Sequence, residues 1–228
     1  MSQYFIMLLL ATDTSGKHGS IALAECGPTD ECRIIEVVPL AGGTFSAQLV
    51  PQIAALLAAH GFSKRDLAAF AVVSGPGSFT GLRVGLAAIK ALAEVLCQPV
   101  AAVSLLQAVA AAHGEAKVLA ALDAGRDEIY AGEYVAGRGI TAFGERLLTL
   151  AEFLAAADTR LTLTPDHAVA EAARSAGLRV EEIERPRSDA IARLGWKKIL
   201  SGQTVLPEQS EANYIRRSDA EIFAKGGR

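Results

Sequence analysis

Histidine is scarce in this chain, and its scarcity removes whole classes of chemistry. The 4 histidines, His18, His60, His113 and His167, stand singly, with no His-Glu-x-x-His pair to hold zinc on one helix face. His60 and His113 each precede a glycine at an expected helix end, where the exposed carbonyls favour a cation, so all four read as structural and no metal site is expected. Cysteine is scarcer still. Cys26, Cys32 and Cys97 are odd in number and lack paired metal spacing, which indicates neither a disulfide framework nor a zinc site and fits a reducing cytoplasmic compartment. No apolar run is long: Tyr4 to Ala11 is too short to cross a bilayer, lacks a basic leader and runs straight into Asp13, so it reads as a buried first strand with no membrane role. An excess of basic charge is also missing. With a net charge of −3 and a pI near 5.8, the chain does not read as a free-standing nucleic-acid binder, and any RNA is expected to be held mostly by a partner. Ser74-Gly-Pro-Gly-Ser78 is not the Gly-x-Ser-x-Gly elbow of a serine hydrolase, and the lysine-bearing phosphate loop is absent as well.

What is present is an ordinary globular composition, 51% hydrophobic and 21% charged over 228 residues, enough for one or two domains with substantial cores. A short pattern recurs. Leu8 to Gly16 and Val118 to Arg126 each give an apolar strand ending in aspartate, then a turn, then an alternating strand, Ser20 to Ala24 and Glu128 to Tyr134. The recurrence predicts a duplicated α/β fold with an N-terminal half at 1–114 and a smaller, degenerate half at 115–228. In the first half, strands are expected at Leu8 to Asp13, Ser20 to Ala24, Arg33 to Val38, Ala69 to Val73 and near Val100. Helices are expected at Ser46 to His60, Thr80 to Leu96 and Leu105 to His113. Three strands before the first helix imply mixed sheets, antiparallel at the hairpins and parallel across the helices. The second half should add a helix capped by Thr149 and Glu152 and ending at Ala157, and a strand at Leu161 to Leu163. Helices at Pro165 to Ala176 and Ser188 to Leu200 follow, then a tail, extended and packed, from Val205.

The most informative stretch is Gly75-Pro-Gly-Ser-Phe-Thr-Gly-Leu-Arg83, comprising Gly75, Pro76, Gly77, Ser78, Phe79, Thr80, Gly81 and Arg83 around Leu82. It joins an apolar strand to an apolar helix that Ser78 or Thr80 can cap. Its glycines let backbone approach something closely, and two readings stand: a phosphate at the helix start, or a turn that positions the helix. Two further loops bear on the choice. Asp13 is followed by Thr14 and Ser15 with Gly16 two residues late, whereas Asp123 is followed by Ala124 and Gly125, then by Arg126 and Asp127. Competent phosphate loops place glycine directly after the aspartate, since a side chain there collides with phosphate. Both loops therefore look degenerate, with the aspartates bonding their own turns. The helix after the signature is apolar nearly all round, with Gly81, Gly85, Ala88 and Leu92 on one stripe and Leu82, Leu86 and Ile89 on another. The preceding helix adds Leu49, Ile53, Leu56 and Leu57. One sheet covers one face of each; the remainder is either a subunit interface or further core.

The nonapeptide resembles the signature of the bacterial TsaB (YeaZ-like) family of tRNA threonylcarbamoyladenosine biosynthesis, relatives of the sugar-kinase, Hsp70 and actin-like ATPases. Leu8 to Glu25, Phe45 to Gly61, Val100 to Ala112, Asp123 to Tyr134 and Asn213 to Glu221 extend the likeness in the expected order. The resemblance implies a two-domain actin-like ATPase fold acting as a non-catalytic partner and activator of a TsaD-type transferase, with no catalytic residues and no cofactor of its own. ATP and metal would sit in partner proteins, a TsaE-type ATPase would join, and tRNA would be reached through the complex at the adenosine next to the anticodon. It also implies pairing through the two helices, which makes Leu49, Ile53, Leu56, Leu82, Gly85, Leu86 and Ile89 partner-binding candidates, with a homodimer when the chain is alone. TsaD-type relatives carry His-x-x-x-His on the helix that here begins Ser104-Leu-Leu-Gln-Ala-Val-Ala110, where no histidine occurs. The competing classes are a small-molecule kinase or ATPase using Asp13, Thr14 and Asp123, and a peptidase.

Overall fold

The computed structural model describes residues 6–114, 117–135 and 141–206, together with Asn213 and Ile215. The tail beyond 206, including nearly all of the Asn213 to Glu221 block, lies outside the described residues. Each half of the chain builds the same succession: three strands, a helix, a strand, a helix, a strand, a helix. The first comprises β1 (Met7–Asp13), β2 (Gly19–Cys26), β3 (Cys32–Leu40), α1 (Phe45–Ala59), β4 (Leu67–Gly75), α2 (Phe79–Leu96), β5 (Val100–Ser104) and α3 (Leu105–Ala110). The second comprises β6 (Lys117–Gly125), β7 (Glu128–Val135), β8 (Thr141–Thr149), α4 (Leu150–Ala157), β9 (Leu161–Thr164), α5 (His167–Ser175), β10 (Val180–Glu182) and α6 (Ser188–Leu200).

The two sheets have one topology, β3-β2-β1-β4-β5 and β8-β7-β6-β9-β10. In both, the first three strands pair antiparallel as a meander and the last two pair parallel across helical connections. The duplication expected from the two aspartate hairpins is therefore carried through every element.

The compact units differ from the expected halves. One consists of Met1–Ser104 with Arg187–Ala212, the other of Leu105–Pro186 with Asn213–Arg228. Each repeat's third helix belongs to the other unit: α6 packs on β1, β2, β4 and β5, and α3 packs on β6, β7 and β9.

Alternation along the strands explains how the first unit buries both sheet faces. Leu8, Leu10, Ile21, Leu23, Phe70 and Val72 form the core under α1 and α2. On the opposite face, cross-strand pairing aligns Ala22 with Ala11, Ala11 with Ala71 and Ala71 with Ala101. Over this row of four alanines lies α6, so close that a Cβ on Gly195 would fall 2.4 Å from the Cβ of Ala71. Trp196 is buried beside it and donates its indole N–H to the carbonyls of Gly27 and Thr29. At the start of α6, Ser188 donates its backbone N–H to Ser20 Oγ at 3.0 Å and its hydroxyl to the Ser20 carbonyl at 2.6 Å.

Cys26 and Cys32 are bonded, against the expectation of free thiols. They face one another at the end of the β2–β3 pair, so the hairpin register brings the sulfurs together irrespective of how many cysteines the chain carries. Cys97 is free and exposed. The tail bears out its extended reading as far as Val205, which bridges Val100 antiparallel and packs on the first core.

Candidate functional site

The signature loop closes onto the turn after β1. Gly75 ends β4 at φ 134°, a conformation that glycine enters far more readily than other residues, and the Gly75–Pro76 peptide is cis. Ser78 caps α2, its Oγ accepting from the Gly81 N–H at 3.3 Å, and its own N–H donates to the Ser15 carbonyl at 2.7 Å. The Thr14 hydroxyl donates to the Gly81 carbonyl at 2.7 Å. Three glycines make this contact sterically possible. A Cβ would sit 2.5 Å from the Ser15 carbonyl oxygen at Gly77, 2.0 Å from the Thr14 carbonyl oxygen at Gly81, and 2.4 Å from Thr14 Oγ1 at Gly85. Phe79 stacks under the guanidinium of Arg83, whose Cζ lies 3.7 Å from the ring centre, while Thr80 is exposed.

Asp13 is 3% exposed, and its Oδ1 accepts from both the N–H of Ser15 at 2.8 Å and its hydroxyl at 2.6 Å. The groups that a phosphate loop would turn toward a ligand are thus bonded within the chain. Thr14 and Ser15 are buried and contact the start of α2. The contacts of Ser78 and Gly81 with Ser15 and Thr14 position the start of α2 against the turn after β1.

The second turn is built alike but lies exposed. Asp123 Oδ1 accepts from the Gly125 N–H at 2.7 Å, and the Asp123 N–H donates to Asp166 Oδ2 at 2.8 Å. Gly125, Arg126 and Asp127 all have positive φ. The helix expected at Pro165 to Ala176 starts at His167, so Asp166 stands at the N-cap of α5, an aspartate directly before a helical run. The carboxylates whose ionisation is clearly displaced serve local structure elsewhere. The backbone N–H of Thr149 holds Glu152 below the usual glutamate range in a capping box, and His167 and then Arg174 do the same for Glu182.

The partner-binding candidates require correction. Leu49, Ile53, Leu56, Leu86 and Ile89 lie in the first core, Leu82 is buried, and Gly85 faces Thr14. They are occupied by their own unit because α1 and α2 turn these stripes toward the sheet and each other. What α1 and α2 present to solvent includes Ser46, Ala47, Val50, Pro51, Ala54 and Ala58, and Arg83, Ala87, Ala91, Glu94 and Val95.

These observations describe a duplicated α/β core whose first aspartate turn is bonded to the start of α2. A family model described as "TsaD: tRNA N6-adenosine threonylcarbamoyltransferase" matches residues 37–203. The chain belongs to this family. Among the relatives of this TsaD-family chain, the "tRNA threonylcarbamoyladenosine biosynthesis protein TsaB" of Haemophilus influenzae is 37% identical over 143 residues, covering 61% of this chain and 58% of that protein. The TsaB of Bacillus subtilis is 33% identical over 59% of this chain and 58% of its own length. These two matches span less than two thirds of each relative; the Escherichia coli TsaB matches at 28% identity over 94% of this chain and 96% of its own length. The solved "YeaZ from Pseudomonas aeruginosa" superposes with a TM-score of 0.74 at 26% identity, covering 91% of this chain and 99% of that one. The resemblance carried by the nonapeptide thus extends over the whole fold. The helix α3, Leu105–Ala110, contains no histidine.

Among the described residues, no cluster of three or more His, Cys, Asp or Glu is placed to hold a metal ion, and no helix is long and apolar enough to cross a membrane.

Proposed function

We propose that this chain serves tRNA threonylcarbamoyladenosine biosynthesis as a non-catalytic partner that activates a TsaD-type transferase in the cytoplasm. A TsaE-type ATPase joins it, tRNA is reached through the complex, and ATP and metal are supplied by the partner proteins. The observation that carries the reading is the closed first turn: Asp13, Thr14 and Ser15 spend their polar groups on one another and on α2. The names of the TsaB relatives support the pathway. The exposed apolar side of α1 and α2, centred on Val50 and Ala54, is the face for the transferase, and for a second copy when the chain is alone.

The test is reconstitution. Unmodified tRNA is incubated with the threonylcarbamoyl adenylate, ATP and magnesium, and the nucleosides are read by mass spectrometry. The expected result is no modified adenosine with this chain alone and robust modification once the TsaD-type and TsaE-type proteins are added. Modification by this chain and the adenylate alone would overturn the proposal, as would micromolar ATP binding with turnover by the isolated chain.

A further inference from the structure

The Cys26–Cys32 bond closes a short loop, Gly27 to Glu31, whose carbonyls seat one face of α6. The indole N–H of Trp196 is shared between the Gly27 carbonyl at 3.1 Å and the Thr29 carbonyl at 2.9 Å, and Lys197 Nζ lies 3.4 Å from Asp30 Oδ2. Trp196 is the single tryptophan of the chain and is 2% exposed. The backbone closure of the loop is slight, since the Gly27 N–H reaches the Glu31 carbonyl only at 3.5 Å, beyond the usual range of such bonds. The loop is therefore shaped from two sides, by the sulfurs and by α6.

The hairpin itself does not need the bond. The β7–β8 pair repeats the β2–β3 pairing at the same spacing, with Val135 opposite Thr141 where Cys26 stands opposite Cys32, and no sulfur joins that end. A crosslink over so short a loop also removes less unfolded-chain entropy than one closing a long segment. The bond is placed for exchange. Cys26 is fully buried, whereas Cys32 is half-buried and lines a groove of about 830 Å³ with Thr29, Arg193 and Lys197, so an incoming thiolate meets the Cys32 sulfur and Cys26 is the leaving group. Eight paired positions along β2 and β3 keep the two cysteines opposite each other once the bond is cut, which makes the reaction reversible. Two unbonded thiols need more room than a bonded pair. Reduction therefore parts the strand ends and shifts the carbonyls that hold Trp196.

We propose that Cys26 and Cys32 form a reversible thiol–disulfide switch that governs how firmly the loop holds α6. Its reductant is a dithiol: one thiolate attacks Cys32 Sγ, the S–S bond breaks, Cys26 leaves as a thiolate and takes a proton, and the second thiol of the reductant then displaces Cys32. The protein gains two electrons and two protons while the dithiol becomes a disulfide. Use of the switch in a cell rests on the cytoplasmic reading above; the exchange chemistry does not. The full chain, labelled with ¹⁵N, is treated with dithiothreitol under native conditions, thiols are counted by alkylation and intact mass, and the single indole resonance reports Trp196. Thiols should rise from one, Cys97, to three, the indole resonance should move, and its hydrogen exchange should quicken by about tenfold or more. Oxidised glutathione should then restore the starting spectrum. Cys32→Ser should show the reduced indole position and ignore dithiothreitol; if this variant does not fold, the reduced and reoxidised parent carry the comparison. A bond that resists dithiothreitol until the chain melts overturns the switch, as does reduction to three thiols with the indole resonance and its exchange unchanged. Reversible exchange of the purified chain, with the pair wholly oxidised in acid-quenched cells, sustains the switch and sets the cytoplasmic reading aside.

Discussion

At the scale of single residues, the signature glycines hold the first turn against α2, and their identity follows from distance. Gly85 stands in a helix interior, where alanine is ordinarily better by about 1 kcal/mol. Its missing Cβ would lie 2.4 Å from Thr14 Oγ1 but 3.6 Å from Thr14 Cβ. Gly85→Ala should therefore destabilise the protein by about 1 to 3 kcal/mol in urea unfolding. Combined with Thr14→Ala, which removes the colliding hydroxyl, most of that loss should disappear although Thr14→Ala alone forfeits the bond to the Gly81 carbonyl. Strict additivity of the two substitutions would show that the glycine is there for another reason.

At the scale of elements, α1 divides sharply between a core side and a solvent side. Ile53 is 4% exposed and Val50 56%. Ile53→Glu places an unpaired charge in the core and should cost about 3 to 5 kcal/mol, seen as a collapsed melting temperature. Val50→Glu should change stability by no more than about 0.5 kcal/mol while weakening association with the TsaD-type partner in calorimetry. Unchanged association for Val50→Glu and Ala54→Glu together would place the partner face elsewhere. Helices were legible because their caps and apolar periods are local: Ser78 caps α2, and Thr149 and Glu152 form the box of α4. Two strands were not. In β8, Gly144 sits at φ 73° beside a register shift opposite Gly132 and Glu133, which breaks the period-two pattern, and β10 is only 3 residues long. The site was half legible: the self-bonded aspartate turns could be read, whereas assigning the glycine stripe to a partner overlooked Thr14, 67 residues from Gly81 in sequence.

At the scale of the molecule, the duplication is not two self-sufficient halves, because α6 completes the unit that begins the chain. A chain ending at Pro186 keeps every strand of the first sheet but loses Ile191, Ala192 and Trp196, all buried, from its alanine face. That uncovered face should abolish the cooperative thermal transition of the unit and expose dye-binding apolar surface. A truncated protein that melts cooperatively at the parent temperature would show that α6 is an accessory.

The sequence by itself determined the helices and all strands but β8 and β10, the recurrence of the aspartate hairpin, the mixed character of the sheets and the spacing after both aspartates. All of these rest on neighbours a few residues apart, where periodicity, capping and turn chemistry act. Only the tertiary structure decided which unit α3 and α6 join, that Cys26 meets Cys32, that the apolar stripes of α1 and α2 are core, and that Trp196 bonds the carbonyls of Gly27 and Thr29. Each of those outcomes depends on strand order and register, which bring together residues that no local pattern connects.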